Sequence, residues 1–104
     1  MQLFNLHTHS NFSDGKANAE DVVLEAINQG LEVLGFSDHS PVPFENSFAI
    51  KNNEVHNYIS TIKSLKEKYQ DKIDIYCSME MDFIPGIVND FKKTKEELGL
   101  DYLI

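Results

Sequence analysis

Short apolar runs alternate along this chain with longer stretches of helical period, and each of the first three runs ends in histidines or carboxylates. The runs are Leu3 to Leu6, Val33 to Phe36, Ile73 to Met79 and Asp101 to Ile104. Between the first two, Asn18 is placed to cap a helix whose first turn carries Glu20 and Asp21, favourable at the positive end of a helix dipole. That helix buries Val22, Val23, Ala26 and Ile27, and Gly30 stands where a helix C-terminus wants a left-handed residue. A loop with Pro41 and Pro43 precedes a second helix, from about Glu54 to Tyr69, with Val55, Tyr58, Ile59, Ile62, Leu65 and Tyr69 on one face. Pro85-Gly86 opens a turn, a third helix runs from about Val88 to Leu98, and Gly99 closes it. Alternation of this kind implies parallel strands joined by crossover helices, about four strands and three helices of an α/β fold.

His7-Thr8-His9, Asp38-His39 and Glu80-Met81-Asp82 each follow directly on a strand. In parallel α/β folds that edge of the sheet is where ligands bind. Side-chain alternation divides the strands into two faces. With Phe4 and Leu6 against helices, Asn5, His7 and His9 face inward. With Leu34 and Phe36 against helices, Gly35, Ser37 and His39 face inward. In the third strand Ile73, Ile75, Cys77, Met79 and Met81 take the helix side, leaving Glu80 and Asp82 inward. Polar inward residues at the strand ends suit a barrel with its site at one mouth, provided that no bulge shifts the count.

His-x-His on one strand face sets two imidazoles side by side, and imidazoles with carboxylates suit Zn, Mn or Fe. Alone, the pattern is more often just two polar residues at a strand end. Asp14, in Ser13-Asp14-Gly15, is either a ligand carried on a loop or part of an Asp-Gly turn, and spacing favours the turn. His39 reads as a ligand with Asp38 behind it, capping backbone groups or orienting a neighbour, or the two form a structural pair. Parity does not separate Glu80 from Asp82. A carboxylate beside several histidines commonly bridges two metals in hydrolytic sites, where one ion polarises a phosphoryl oxygen and the other generates hydroxide. His56 falls on a polar helix face with Ser60, Lys63 and Glu67, as a surface histidine does. Cys77 reads as core, and Phe44 and Phe48 as loop packing before pocket lining.

Seventeen acidic residues against nine basic ones leave a net charge of −8. That disfavours nucleic acid or an anionic membrane as partner. A small anionic substrate stays open, because bound divalent cations reverse the local field. No stretch approaches the roughly 18 apolar residues of a membrane span. With a single cysteine there is no internal disulfide, and a cytoplasmic protein is the expectation.

His7-Thr8-His9-Ser10 with Ser13-Asp14-Gly15, then Ser37-Asp38-His39, then Met79-Glu80-Met81-Asp82 resemble the three successive motifs of the PHP (polymerase and histidinol phosphatase) superfamily. The resemblance covers all 104 residues. Ser37-Asp38-His39-Ser40-Pro41 with Pro43-Phe44, and Asp82-Phe83-Ile84-Pro85-Gly86, look most like monofunctional histidinol-phosphatases of histidine biosynthesis. The resemblance implies a distorted (β/α)7 TIM-like barrel with a trinuclear cluster of divalent metals. His7, His9 and Glu80 would hold one ion, Glu80 would bridge to a second, and Asp14 with His39 would hold the third. Glu80 and His39 are then the candidate catalytic residues, and Asp38 supports the ligands. The implied reaction is hydrolysis of L-histidinol phosphate to L-histidinol and phosphate. The alternatives are a PHP-type nuclease or other phosphoesterase, or an inactive metal-binding fragment. Ser78 departs from the glycine usual two positions before the bridging Glu. Further ligands are expected after the fourth strand, and a barrel of this kind needs on the order of 250 residues. Residues 1–104 are therefore expected to be the N-terminal portion of a single PHP domain, truncated before the remaining strands and inactive alone.

Overall fold

Among the described residues, four parallel strands form one sheet in the order of the chain: β1 (Phe4–Thr8), β2 (Val33–His39), β3 (Asp74–Glu80) and β4 (Tyr102–Leu103). The computed structural model describes residues 3–41, 48–81, 95–96 and 98–103, without the side chains of residues 52 and 103. Helix α1 (Ala19–Asn28) crosses from β1 to β2, and a 3-10 turn (Asn52–Glu54) leads into α2 (Val55–Lys68), which crosses to β3. The expected α/β organisation with a parallel sheet is present. Of the third expected helix, residues 95, 96 and 98 are helical. Its remainder, Asp82, Pro43, Phe44 and Pro85-Gly86 lie outside the described residues.

The helices start and stop for local reasons. Asn18 accepts a hydrogen bond from the Asp21 amide at 2.9 Å, closing an N-cap, and Gly30 adopts φ +81° beyond the last turn. Val23 and Ala26 of α1 are buried with Tyr58, Ile59, Ile62 and Leu65 of α2 against Leu34, Phe36, Ile75, Cys77 and Met79 of the sheet. At 0% exposure, Phe36 and Ile75 mark the centre of this layer. Alternation in β2 and β3 matches the expectation: the helix-facing residues are core, and Cys77 is among them.

β1 does not match it. Phe4 pairs with Val33 and Asn5 with Leu34, but Thr8 pairs with Phe36, so three residues of β1 span two of β2. Residues paired in a parallel ladder project to the same face, which puts Asn5 and Thr8 on the helix side with Leu34 and Phe36. Phe4 and Leu6, expected against helices, instead belong to the inward face and are 63% and 40% exposed. The extra residue of the bulge resets the phase, and His7 and His9 both end up inward, as Glu80 and His39 are.

The sheet is also curved. β4 and β1 are three strands apart, about 14 Å in a flat sheet, yet the Tyr102 hydroxyl donates to the Leu6 carbonyl. A tyrosine side chain is too short for a flat crossing, so β1 and β4 must curl toward each other over the inward face.

Candidate metal centre

Three strand ends and one loop converge on the inward rim. β1 contributes His7 and, one residue past its end, His9; β2 contributes His39 and β3 contributes Glu80. Glu80 lies between the imidazoles, with Oε1 2.8 Å from His7 Nε2 and Oε2 2.8 Å from His39 Nδ1. Asp14 stands on the other side, with Oδ1 2.6 Å from His9 Nδ1 and Oδ2 3.1 Å from His39 Nε2. The His7 and His9 ring centres are 5.2 Å apart, and those of His9 and His39 are 4.6 Å apart. The ring of Phe48 meets His39 edge-on at 5.4 Å. All five residues named as metal candidates are thus in one cluster. Asp82, the rival of Glu80 by parity, lies outside the described residues.

The loop that delivers Asp14 closes as a tight turn and also brings the Asp14 carboxylate to the histidines. Gly15 N–H donates to the Ser10 carbonyl at 2.9 Å. A Cβ on Gly15 would come within 2.5 Å of the His9 carbonyl oxygen, so the turn closes this tightly only with glycine. Asp38 fastens the loop from beneath. Its buried carboxylate accepts from the Ser10 amide (2.7 Å), the Ser10 hydroxyl (3.0 Å) and the Ser13 hydroxyl (2.5 Å). Tyr58 of α2 holds the neighbouring strands, donating to the Ser78 carbonyl at 2.6 Å and accepting from the Asp38 amide at 3.4 Å. Ser78, the departure from the family glycine, donates to the Tyr102 carbonyl at 2.5 Å and so helps join β3 to β4.

Charge follows the contacts. Desolvation pushes the Asp14 carboxyl up, but the His9 hydrogen bond and the charges of His39 and His9 outweigh it and hold the group below its ordinary value. For Asp38, burial outweighs the hydrogen bonds of Ser13 and Ser10 and raises it.

The donor set fits a divalent cation. In the group His7, His9 and Glu80, one ligand atom from each residue lies within 4.8 Å of the others, and the same holds for His9, Asp14 and His39. With neutral imidazoles the five side chains carry two negative charges, which a divalent ion offsets. His9 Nε2 is buried without a hydrogen bond, 3.9 Å from Glu80 Oε2, and so has a lone pair or proton unsatisfied by protein. The roles of Ser10, Ser13 and Tyr102 were not readable in advance, since their partners lie 25 to 96 residues away. His56 is exposed, as expected. Among the described residues no helix is long and apolar enough to cross a membrane.

Known proteins resemble the chain in both sequence and fold. Proteins assigned as histidinol-phosphatases in Deinococcus radiodurans and Schizosaccharomyces pombe are 28% identical over 81 residues and 29% identical over 114 residues. These matches cover 76% and 94% of this chain but 31% and 36% of the relatives, so the chain spans about a third of their length. The crystal structure of a Listeria monocytogenes protein assigned as a histidinol phosphatase, hisK, shares the fold at a TM-score of 0.80 and 19% identity, covering 96% of this chain and 43% of that one. Histidinol phosphate phosphatase from Lactococcus lactis, solved with Zn, L-histidinol and phosphate, matches at a TM-score of 0.71 and 27% identity, over 98% of this chain and 38% of that one. The PHP-domain family model matches residues 5–104, and with that extent of match the chain belongs to the PHP-domain family.

Proposed function

We propose that this chain carries the metal-binding rim of a phosphomonoesterase that hydrolyses L-histidinol phosphate to L-histidinol and phosphate. The observation that carries the reading is the convergence of His7, His9, Asp14, His39 and Glu80 on one rim of a parallel sheet. Likeness to a histidinol phosphate phosphatase solved with Zn, L-histidinol and phosphate supports the choice of substrate. In this reading His7, His9 and Glu80 hold one divalent ion, Zn, Mn or Fe, and His9, Asp14 and His39 hold another. Glu80 would be shared with a further ion, as the family resemblance implies for a trinuclear cluster.

When bound, divalent ions supply neutralisation of a phosphoryl group and a water more acidic than bulk solvent. The chain's own residues do the rest. Glu80 and Asp14 bring the anionic oxygens that attract cations into a chain of net charge −8, and the cations then make a phosphate ester welcome there. Asp38 fixes the Ser10–Gly15 loop so that Asp14 meets His9 and His39. Glu80 and His39 are the catalytic candidates because, one from each ligand group, they meet at 2.8 Å on the rim.

The proposal extends to the whole domain. Residues 1–104 form the first portion of a PHP domain that curls into a (β/α)7 barrel, supported by the curvature that Tyr102 reports and by the length of the relatives. Without the remaining strands the site is incomplete and the chain inactive. A cytoplasmic location belongs to the same reading, supported by a single cysteine that is free and buried. Phosphate release from L-histidinol phosphate by the full-length protein, with Mn or Zn, tests it. Turnover that is lost in Glu80→Gln is expected. Activity on nucleotides or DNA ends with none on histidinol phosphate refutes the substrate.

A further inference from the structure

His7 and His9, two residues apart, share a face in any regular strand, but that face is the inward one only because β1 carries a bulge, so whatever holds the bulge also holds the pair toward Glu80. The register slips between Asn5 and Thr8, and the residues inside the slip are Leu6 and His7. The Leu6 carbonyl receives the hydroxyl of Tyr102, from the far strand of the sheet. Tyr102 pairs with Ser78 on the inward face of β3, and its ring then passes over β2 at Gly35.

Gly35 is the one position of β2 that leaves room for this passage. A Cβ there would lie 3.0 Å from the Tyr102 Cζ and 3.1 Å from the Leu6 Cα, and would overlap the hydroxyl oxygen. The inward neighbours of Gly35 on β2 are Val33 and Ser37, and either side chain at position 35 would block the bond. Burial pushes the Tyr102 hydroxyl up to about 12, so it stays protonated and able to donate across the working pH range. Ser78 fixes the same residue from its other side by donating to the Tyr102 carbonyl.

We infer that Tyr102 is a positioning residue: by donating to the Leu6 carbonyl across Gly35, it clamps the β1 bulge and thereby turns His7 and His9 to the inward face beside Glu80. The inference rests on the reading of His7 and His9 as ligands, but the clamp itself can be read without metal. Loss of the clamp lets β1 relax toward regular alternation, in which His7 and His9 stay on one face but follow Asn5 to the helix side, away from Glu80.

The test is Tyr102→Phe, which removes one oxygen and adds nothing, with Tyr69→Phe as control. Tyr69 also donates its hydroxyl, but to Glu20 at 2.7 Å, on the helix side of the sheet. In the metal-free full chain, the ¹³C shifts of the Leu6 carbonyl and His7 Cα should move in Tyr102→Phe and stay in Tyr69→Phe. The contact between His7 Nε2 and Glu80 Oε1, 2.8 Å in the parent, should weaken in the same variant. Zn²⁺ affinity, titrated directly, should fall about five- to tenfold in Tyr102→Phe, the worth of one net hydrogen bond, and should not change in the control. Unchanged Leu6 and His7 shifts overturn the clamp. A moved β1 with unchanged Zn²⁺ affinity overturns its role in aiming the pair. If the parent chain binds no Zn²⁺, the ligand reading fails separately, while the metal-free shifts still decide the clamp.

Discussion

Asp38 shows how a residue without a place in the ligand shell can decide whether a ligand is delivered. Its carboxylate takes three hydrogen bonds from Ser10 and Ser13, and those two serines frame the turn that carries Asp14 to His9 and His39. Asp38→Ala leaves a buried amide and two hydroxyls without an acceptor, and should cost about 2 kcal/mol or more of stability by urea denaturation. Asp38→Asn keeps one acceptor for the Ser10 amide and should cost less. The pH dependence has a definite sign. Folded Asp38 holds its proton more tightly than the unfolded chain does, because burial raises it. Its contribution is therefore best below the ordinary carboxyl value, and it declines as pH rises from there through the raised folded value. Asp38→Asn should remove that decline, and a variant with the parent's pH dependence would show that burial is not what governs this group.

At the scale of elements, what could be read in advance follows from periodicity and what could not follows from its failure. α1 and α2 announce themselves by Val23, Ala26, Tyr58, Ile62 and Leu65 at helical spacing, and β2 and β3 by apolar residues at every second position. Their ends then deliver His39 and Glu80 by simple alternation. β1 offers the same alternation in Phe4-Asn5-Leu6-His7, so nothing in the sequence marks its extra residue, and only pairing with β2 reveals it. His7 and His9 were placed inward correctly for a reason that the bulge overturns. Asp14 was legible only through family likeness, because a loop has no period from which to infer direction. The helices are linked by Glu20 of α1, 2.5 Å from Lys68 Nζ and 2.7 Å from the Tyr69 hydroxyl. Hydrogen bonds from Lys68 and then Tyr69 hold the Glu20 carboxyl below its ordinary value. Its stabilising contribution is present above the ordinary value and is lost as pH falls through the depressed one. Glu20→Gln should thus narrow the gap between urea midpoints at pH 7 and pH 3, slightly, since the pair is exposed and screened. A gap unchanged from the parent would mean that the link contributes nothing measurable.

For the whole molecule, the inward side of the sheet leaves large apolar side chains exposed among the described residues. Leu3, Phe4 and Leu6 are exposed at β1, the edge strand of the described sheet. Mutual repulsion from a net charge of −8 opposes association, and salt screens it. The 104-residue chain should therefore associate more as salt rises, and Phe4→Lys should reduce this in sedimentation velocity. A monomer at low and high salt alike would show that this face is protected in a way its exposure does not suggest. The same face carries the candidate metal centre: among the described residues five donors in two groups are present, enough to hold an ion. Anomalous scattering from crystals grown with Zn²⁺ measures this directly. Peaks within coordinating distance of His7, His9 and Glu80, and of His9, Asp14 and His39, are the predicted result. Zn²⁺ elsewhere, with the Glu80–His7 and Asp14–His9 contacts intact, would contradict it.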